Sequence, residues 1–145
     1  MNMEKRYRTS AHARYTIYYH LVFCPKYRRK IFKDFDIETK VKEAIRTMSV
    51  YHEWLIEELE ADEDHIHICL SAPPRYSPSI IVNLLKTWTY KHVYRSHPEL
   101  QSHLWGGKMW AEGYYVSTVS DRATREEIKR YIRNQKKKYN QLKLL

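Results

Sequence analysis

The chain has 145 residues, a formal net charge of +9 and two cysteines, and 43% of its residues are hydrophobic. Its length and hydrophobic content exclude a disordered chain and favour one domain, which we expect to span residues 1–145. No stretch of about 20 apolar residues occurs, so neither a membrane span nor a membrane partner is expected. The few cysteines, and an N-terminus without the apolar segment of a secretory signal, favour a cytoplasmic protein.

Residue patterns along the chain predict four strands and three helices. The strands are expected at residues 14–23, 53–61, 65–71 and 114–120. The helices are expected at residues 36–51, from Ser77 to about Tyr94, and at residues 125–138. Asp36 is the expected N-cap of the first helix, because its carboxylate could accept hydrogen bonds from the first turn.

The resulting order is β-α-β-β-α-β followed by one further helix. It matches the split β-α-β pattern of the ferredoxin-like and RRM-like α+β folds. We therefore expect an antiparallel sheet of four strands, or five at most, with the first and third strands side by side in its middle. Two helices would cover one face of the sheet. The other face would stay open to single-stranded nucleic acid unless the last helix covers it.

Basic side chains are concentrated in two segments that contain no acidic residue, residues 25–33 and residues 128–145. Such segments attract phosphate groups, and an aromatic ring among the cations can stack on an unpaired base. Nucleic-acid binding therefore explains them better than solubility alone, and Lys86 on the second helix could add to the basic surface. The candidate DNA-contacting residues are Lys26, Tyr27, Arg28, Arg29, Lys30, Lys33, Lys136 and Lys137.

The segment EDHIHICL, residues 63–70, carries two histidines on a predicted strand. Side chains alternate along a strand, so His65 and His67 share one face while Ile66 turns towards the helices, which puts the histidines on the open face. Two imidazoles at this spacing can bind one divalent ion, although such a pair is more often an ordinary polar part of a sheet surface. A structural zinc site is disfavoured, since the two cysteines lack a CxxC spacing.

Two neighbours of the histidine pair have roles that the sequence leaves open. His20 on the first strand is either a partner of the pair or part of the sheet surface. Asp64 either orients a ligating histidine, as carboxylates beside metal sites commonly do, or belongs to the turn before the strand.

The last predicted helix places a tyrosine and a glutamine four residues apart, so Tyr131 and Gln135 lie on one face. With Ile128 and Ile132 they follow the spacing of an ordinary core stripe, and periodicity alone therefore favours packing. The chain has 13 tyrosines, so a tyrosine on this helix carries no chemical information by itself.

Four motifs occur in a consistent order and spacing, and together they resemble the single-tyrosine transposases of bacterial insertion sequences, members of the HUH nuclease superfamily. The motifs are YHLVFCPKYRRKIF at residues 19–32, DHIHICL at residues 64–70, WAEGYYVSTVS at residues 110–120 and EEIKRYIRNQKK at residues 126–137. The resemblance extends over nearly the whole chain.

This resemblance implies an enzyme that cuts and rejoins single-stranded DNA at the ends of a mobile element. Tyr131, on the extra C-terminal helix, would be the nucleophile and would form a covalent 5′-phosphotyrosine intermediate. A divalent ion, Mg²⁺ or Mn²⁺, would be held by His65, His67 and Gln135.

The partners that the resemblance implies are single-stranded DNA with hairpin ends and a second copy of the chain. In such a homodimer the tyrosine helix of one copy would complete the site of the other. We expect the protein in the cytoplasm, associated with the nucleoid. Two alternatives stay open: a non-catalytic module that binds single-stranded nucleic acid, and a domesticated relative that acts on repetitive chromosomal hairpins.

Overall fold

A computed structural model describes residues 7–34, 37–103, 108–119, 127, 130, 133 and 134 of the chain. Three strands come first, β1 (Arg8–Ser10), β2 (Ala13–Tyr15) and β3 (Tyr18–Phe23). The helices α1 (Ile31–Asp34) and α2 (Glu38–Tyr51) follow, and then the strands β4 (Leu55–Ala61) and β5 (Ile66–Ser71). Next come the helix α3 (Pro78–Ser96) and the strand β6 (Tyr115–Thr118), and short 3₁₀ turns lie at Lys26–Arg28 and Pro98–His103.

Four of the strands form one antiparallel sheet in the order β4-β5-β3-β6. The strands β3 and β5 lie in its middle, and the helices α2 and α3 connect the strands as the split β-α-β pattern requires. The predicted α+β fold with a four-stranded sheet is therefore confirmed. Five of the predicted elements start and end within two residues of the predicted positions. They are the strands β4, β5 and β6 and the helices α2 and α3.

The predicted first strand, residues 14–23, is two strands in the structure. Its first part is β2, which pairs with β1 in a separate two-stranded sheet, and β3 follows as an independent strand. Arg8 of this hairpin donates hydrogen bonds to the carbonyl oxygens of Ser71 (3.0 Å) and Glu53 (2.7 Å). These two bonds fix the hairpin beside the end of β5. The short helix α1 occupies a segment for which the sequence predicts neither a helix nor a strand.

The hydrophobic core lies between the sheet and the helices α2 and α3. Ile66, Ile68 and Leu70 of β5 are fully buried in it, as the alternation along this strand predicts. Ile45 of α2 and Leu85 of α3 belong to the same cluster and are also fully buried. Each such side chain stabilises the fold by about 1.5–3 kcal/mol relative to an exposed position.

The two long helices begin in different ways. Asp36, the predicted N-cap, lies outside the described residues, and Ile37 occupies the N-cap position of α2 without a side-chain cap hydrogen bond. Ile37 is fully buried, so its packing sets the start of the helix. Ser77 opens α3 as predicted: its Oγ accepts a hydrogen bond from the amide of Ile80 at 3.2 Å, and Pro78 follows in the first turn.

The sheet face opposite the helices is not open at the histidines. His65 and His67 do lie on that face, but their exposed fractions are only 1% and 0%, and that of His20 on β3 is 0%. The rings lie in contact, since His20 and His67 meet edge to edge in nearly parallel planes and the Tyr115 ring is inclined to His20 by 71°. The histidines therefore lie on the predicted face, and that face is covered where they lie.

Within the last predicted helix, residues 125–138, the structure describes four positions. Glu127, Arg130, Arg133 and Asn134 are helical and exposed, which agrees with a helix in this part of the chain. No helix in the described part of the chain is long and apolar enough to cross a membrane.

Candidate functional site

His65 and His67 lie at the start of β5 with their rings close together. The ring centroids are 4.9 Å apart and the ring planes are inclined by 72°. Nδ1 of His65 lies 2.8 Å from Oδ1 of Asp64. An ionised carboxylate only accepts hydrogen bonds, so Nδ1 of His65 carries the proton and donates it to Asp64. In the neutral imidazole, Nε2 of His65 then carries the lone pair.

The second histidine is held by His20 of β3. Nε2 of His20 lies 3.0 Å from Nδ1 of His67, and the two rings meet edge to edge with their centroids 5.3 Å apart. Burial lowers the pKa of His20 to about 4, so its imidazole is neutral at neutral pH. The sequence leaves the role of His20 open, and the structure makes it a direct partner of the histidine pair.

The donor atoms of this site fit a divalent cation. In both histidines a neighbour engages Nδ1, which makes Nε2 the nitrogen for coordination. Oδ2 of Asp62 lies 3.2 Å from Nε2 of His65, and because both atoms carry lone pairs when the imidazole is neutral, a proton or a cation is needed between them. Sequence reasoning misses Asp62, although its place in the acidic turn, three residues before His65, is a usable signal.

The described residues supply only part of a metal site. Among them, no three His, Cys, Asp or Glu side chains are arranged to hold a metal ion. The third predicted ligand, Gln135, and the predicted nucleophile, Tyr131, lie outside the described residues. Cys69 is a poor donor, because burial, with Glu57 and Glu58 as smaller causes, raises the pKa of its thiol to about 12 and keeps it protonated.

The basic segment after β3 begins with a turn that is fixed at its backbone. The amide of Lys26 donates a hydrogen bond to the carbonyl oxygen of Met109 at 2.9 Å, and Pro25 forms a bridge with Trp110. Tyr27 follows with φ 60° and ψ 21°, in the left-handed region, and is 67% exposed. Nζ of Lys26 lies 5.3 Å from the centre of the Tyr27 ring. The turn therefore presents a flat ring and a cation to solvent.

The same basic segment borders the histidine pair. Nζ of Lys30 and Nζ of Lys33 each lie 3.5 Å from the carboxylate of Glu63, two residues before His65. Their side chains stay 57% and 60% exposed, and ion pairs on such a surface contribute at most about 1 kcal/mol. Both ammonium groups can therefore still turn to a phosphate. Of the other predicted DNA contacts, Lys136 and Lys137 lie outside the described residues.

Two backbone carbonyl oxygens hold the ammonium group of Lys86. Its Nζ donates hydrogen bonds to the carbonyl oxygens of Ala111 and Gly113, both at 2.8 Å. Burial lowers the pKa of this ammonium group. These bonds hold the connection that leads to β6, and the suggestion that Lys86 adds to the basic surface stays a prediction.

Comparison with protein families and with characterised sequences gives one consistent result. Residues 13–135 match the family model described as "Transposase IS200 like". The chain is 32% identical over 121 residues to the ISDra2 transposase TnpA of Deinococcus radiodurans, with 83% of this chain and 85% of that protein covered. It is 34% identical over 125 residues to the transposase for insertion sequence element IS200 of Salmonella typhimurium, with 86% and 80% covered.

Solved structures agree with these sequence relatives. A crystal structure of a candidate transposase from Deinococcus radiodurans superposes with a TM-score of 0.69 at 30% identity, covering 88% of this chain and 97% of the other. A REP-associated tyrosine transposase bound to a REP hairpin superposes with a TM-score of 0.52 at 14% identity, covering 81% and 66%. At that identity the second likeness concerns the fold alone.

Proposed function

Because the chain belongs to the IS200-like transposase family, we propose that it cleaves and rejoins single-stranded DNA at the ends of an insertion sequence. The observation that carries the proposal is the buried histidine pair, in which both Nδ1 atoms are engaged, beside a segment of cations. Imidazole nitrogens suit a metal-assisted reaction at a phosphate, and the cations suit the phosphate backbone of the DNA.

Under this proposal, His65, His67 and Gln135 hold a divalent ion, Mg²⁺ or Mn²⁺. When bound, such an ion withdraws electron density from the scissile phosphate and orients it for in-line attack. Asp64 keeps the lone pair of His65 on Nε2, and Asp62 places an acceptor oxygen beside that nitrogen. The three proposed ligands are neutral, so they leave the positive charge of the site available to the phosphate.

Tyr131 supplies the nucleophile in this scheme. Its phenol oxygen attacks the scissile phosphorus and loses its proton, the bond from phosphorus to the 3′ oxygen breaks, and that oxygen leaves as a free 3′-hydroxyl. The 5′ end of the cut strand is now held as phosphotyrosine. In the second step a 3′-hydroxyl attacks the phosphotyrosine and reseals the strand. A phenol has a pKa of about 10, so phenolate leaves more readily than an alkoxide, and no nucleotide cofactor is needed.

The DNA strand would follow the basic segment after β3 towards the histidine pair. Lys26, Arg28, Arg29, Lys30 and Lys33 would neutralise phosphates, with Lys136 and Lys137 as further contacts, and the exposed ring of Tyr27 would stack on an unpaired base. A structural relative is bound to a REP hairpin, which makes hairpin ends the first substrate to test.

A second copy of the chain is the proposed protein partner, with the tyrosine helix of one copy completing the site of the other. Complementation tests this arrangement directly. We expect Tyr131→Phe and His67→Ala to be inactive alone and to recover cleavage when mixed, because one copy keeps the histidines and the other keeps the tyrosine. Mixtures that stay inactive, while copurification of differently tagged copies shows mixed dimers, would place the tyrosine in the same subunit as its histidines.

A covalent-adduct assay tests the catalytic proposal itself. Single-stranded DNA that carries the cognate hairpin end and a 3′ label is incubated with the protein and Mn²⁺ and then run on a denaturing gel. We expect a slow band, which disappears in Tyr131→Phe and with a chelator and persists in Tyr139→Phe, a matched tyrosine eight residues further on.

The same assay separates the two alternatives. Tight binding without a covalent band in Mg²⁺ or in Mn²⁺ would support the non-catalytic module and contradict the proposal. A covalent band on repetitive chromosomal hairpins, with none on the ends of an insertion sequence, would support the domesticated relative.

A further inference from the structure

We propose that His20 is a positioning residue: it accepts a hydrogen bond from Nδ1–H of His67 and thereby keeps the lone pair of His67 on Nε2. The role of that lone pair as a metal ligand rests on the proposed function. The preference of His67 for one tautomer does not rest on the proposed function, because it can be measured in the metal-free protein.

Strand register brings the two imidazoles together. The strands β3 and β5 are antiparallel neighbours, with His20 opposite Cys69 and Val22 opposite His67. His20 and His67 are therefore diagonal neighbours on one face of the sheet. Their nitrogens lie 3.0 Å apart, and the ring planes are inclined by only 12°. Both side chains are 0% exposed, so protein atoms rather than bulk water determine which nitrogen carries the proton.

The chemistry of imidazole fixes the direction of this hydrogen bond when His67 is a ligand. A neutral imidazole has one N–H and one lone pair. For His67 to present the lone pair at Nε2, its proton must be on Nδ1, and the group facing Nδ1 must accept. Nε2 of His20 faces Nδ1 and can accept if its own proton is on Nδ1. The opposite direction, with His20 as donor, would put the proton of His67 on Nε2 and block coordination.

The two histidines of the pair are thus oriented by different acceptors. His65 uses the carboxylate of Asp64, whose side chain is 21% exposed at the turn before β5. His67 lies deeper, and a carboxylate in place of His20, which is fully buried, would carry a high desolvation cost. A neutral imidazole accepts the same hydrogen bond without adding a buried charge. At its Nδ1, His67 therefore meets a neutral partner, while Glu60 of β4 is its cross-strand neighbour on the other side.

Two substitutions at one position separate hydrogen bonding from packing. His20→Phe keeps a ring of similar size but removes the acceptor, and we expect the proton of His67 to move to Nε2. The affinity for Mn²⁺ should then fall about 10–100-fold, as is usual when the partner of a ligating histidine is removed. His20→Gln carries an oxygen near the position of Nε2, and it should restore both the tautomer and an affinity close to that of the unaltered protein.

Two measurements report the tautomer of His67 and the affinity for Mn²⁺. Nitrogen-15 NMR of the metal-free protein reports which nitrogen of His67 is protonated, and calorimetry with Mn²⁺ alone reports affinity. Thr89→Val is the matched control, because it breaks another buried side-chain hydrogen bond, from Nε1 of Trp110 to Oγ1 of Thr89 at 2.8 Å, within the core. It should lower the melting temperature while the tautomer of His67 and the Mn²⁺ affinity stay unchanged.

The outcomes distinguish this inference from the proposed function. A proton on Nε2 of His67 in the unaltered protein would overturn the role of His20, as would an unchanged tautomer and affinity in His20→Phe. A tautomer that depends on His20 as expected, together with no Mn²⁺ binding by the unaltered protein, would support the hydrogen bond and overturn the proposed metal site.

Discussion

The carboxylate of Glu63 lies 3.5 Å from Nζ of Lys33, and this contact joins the basic segment after β3 to the turn that precedes His65. Lys30 makes the same contact with Glu63 at the same distance. The acid therefore stands between the cations proposed to bind DNA and the proposed site of the reaction. Glu63 partly neutralises the charges of Lys30 and Lys33, which would otherwise attract a phosphate more strongly.

We predict that Glu63→Gln tightens binding of single-stranded DNA. Removing one negative charge beside two cations should gain about 0.5–1 kcal/mol, or about two- to fivefold in affinity, with the largest gain at low salt. Fluorescence anisotropy with labelled DNA at several salt concentrations measures the change. Glu43→Gln is the control, because Glu43 is as exposed as Glu63, at 51%, but pairs with Lys40 and His92 on the helices. Equal affinities of Glu63→Gln and the unaltered protein would contradict the prediction.

Tyr27→Gly should stabilise the fold and weaken DNA binding at the same time. The left-handed backbone of Tyr27, with φ 60°, is strained for any residue with a side chain, and glycine should recover about 1 kcal/mol in urea unfolding. Loss of the ring should remove about 1–3 kcal/mol of stacking on a base. We therefore expect the free energy of unfolding to rise while the affinity for DNA falls. An unchanged affinity would exclude a stacking role for Tyr27.

Glu53→Gly provides a matched control for this pair of effects. Glu53 is the other non-glycine residue with a positive φ in the described part of the chain, at 61°. Its carbonyl oxygen, which accepts from Arg8, is kept in the variant. We expect a similar gain in stability, reduced slightly by loss of the 3.7 Å contact with Arg75, and no change in DNA affinity.

The sheet could be predicted from the sequence because its signals are local. Alternation of Ile66, Ile68 and Leu70 with His67 and Cys69 indicates which face of β5 packs on the helices, without knowledge of any partner strand. The hairpin of β1 and β2 lacks such a signal. It depends on pairing between two short segments and on Arg8 reaching Ser71, which lies 63 residues away. Contacts of this kind follow from the assembled fold.

The candidate site was predictable in its residue types but not in its contacts. The motif around His65 and His67 indicates a metal pair, whereas the hydrogen bond from His67 to His20 depends on the register of β3 against β5. Lys86 makes contacts that the sequence does not show. Its charge suggests DNA binding, and only the fold reveals that two carbonyl oxygens surround its ammonium group.

Lys86→Met should destabilise the protein without changing its affinity for DNA. The variant keeps most of the aliphatic chain and loses both hydrogen bonds to the carbonyl oxygens of Ala111 and Gly113, so unfolding free energy should fall by about 1–3 kcal/mol. Urea unfolding measures the loss, and anisotropy should show the same salt dependence as before. Lys91→Met, at an exposed position of α3, is the control and should leave stability unchanged. A reduced salt dependence in Lys86→Met would restore the DNA-contact role.

His52 should titrate below the ordinary pKa of a histidine and make stability depend on pH. Burial lowers the pKa of His52 from 6.5, and the positive charge of Arg75 lowers it further. The ring is stacked on Trp54 at 4.9 Å, and Nδ1 lies 2.8 Å from the hydroxyl of Tyr76. Since the unfolded chain takes up the proton first, the contribution of His52 to stability is complete above pH 6.5 and is lost as the pH falls through the lowered pKa.

Proton NMR of the His52 ring measures this pKa in the folded protein, and we expect a midpoint below 6.5. Arg75→Gln should raise the midpoint, because it removes a positive charge, yet leave it below 6.5, because burial is the larger cause. His52→Gln should lose less stability than the unaltered protein when the pH is lowered from neutral to about 5, where the difference reports this single residue. A midpoint at or above 6.5 would show that the ring is not held in the aromatic cluster as the structure describes.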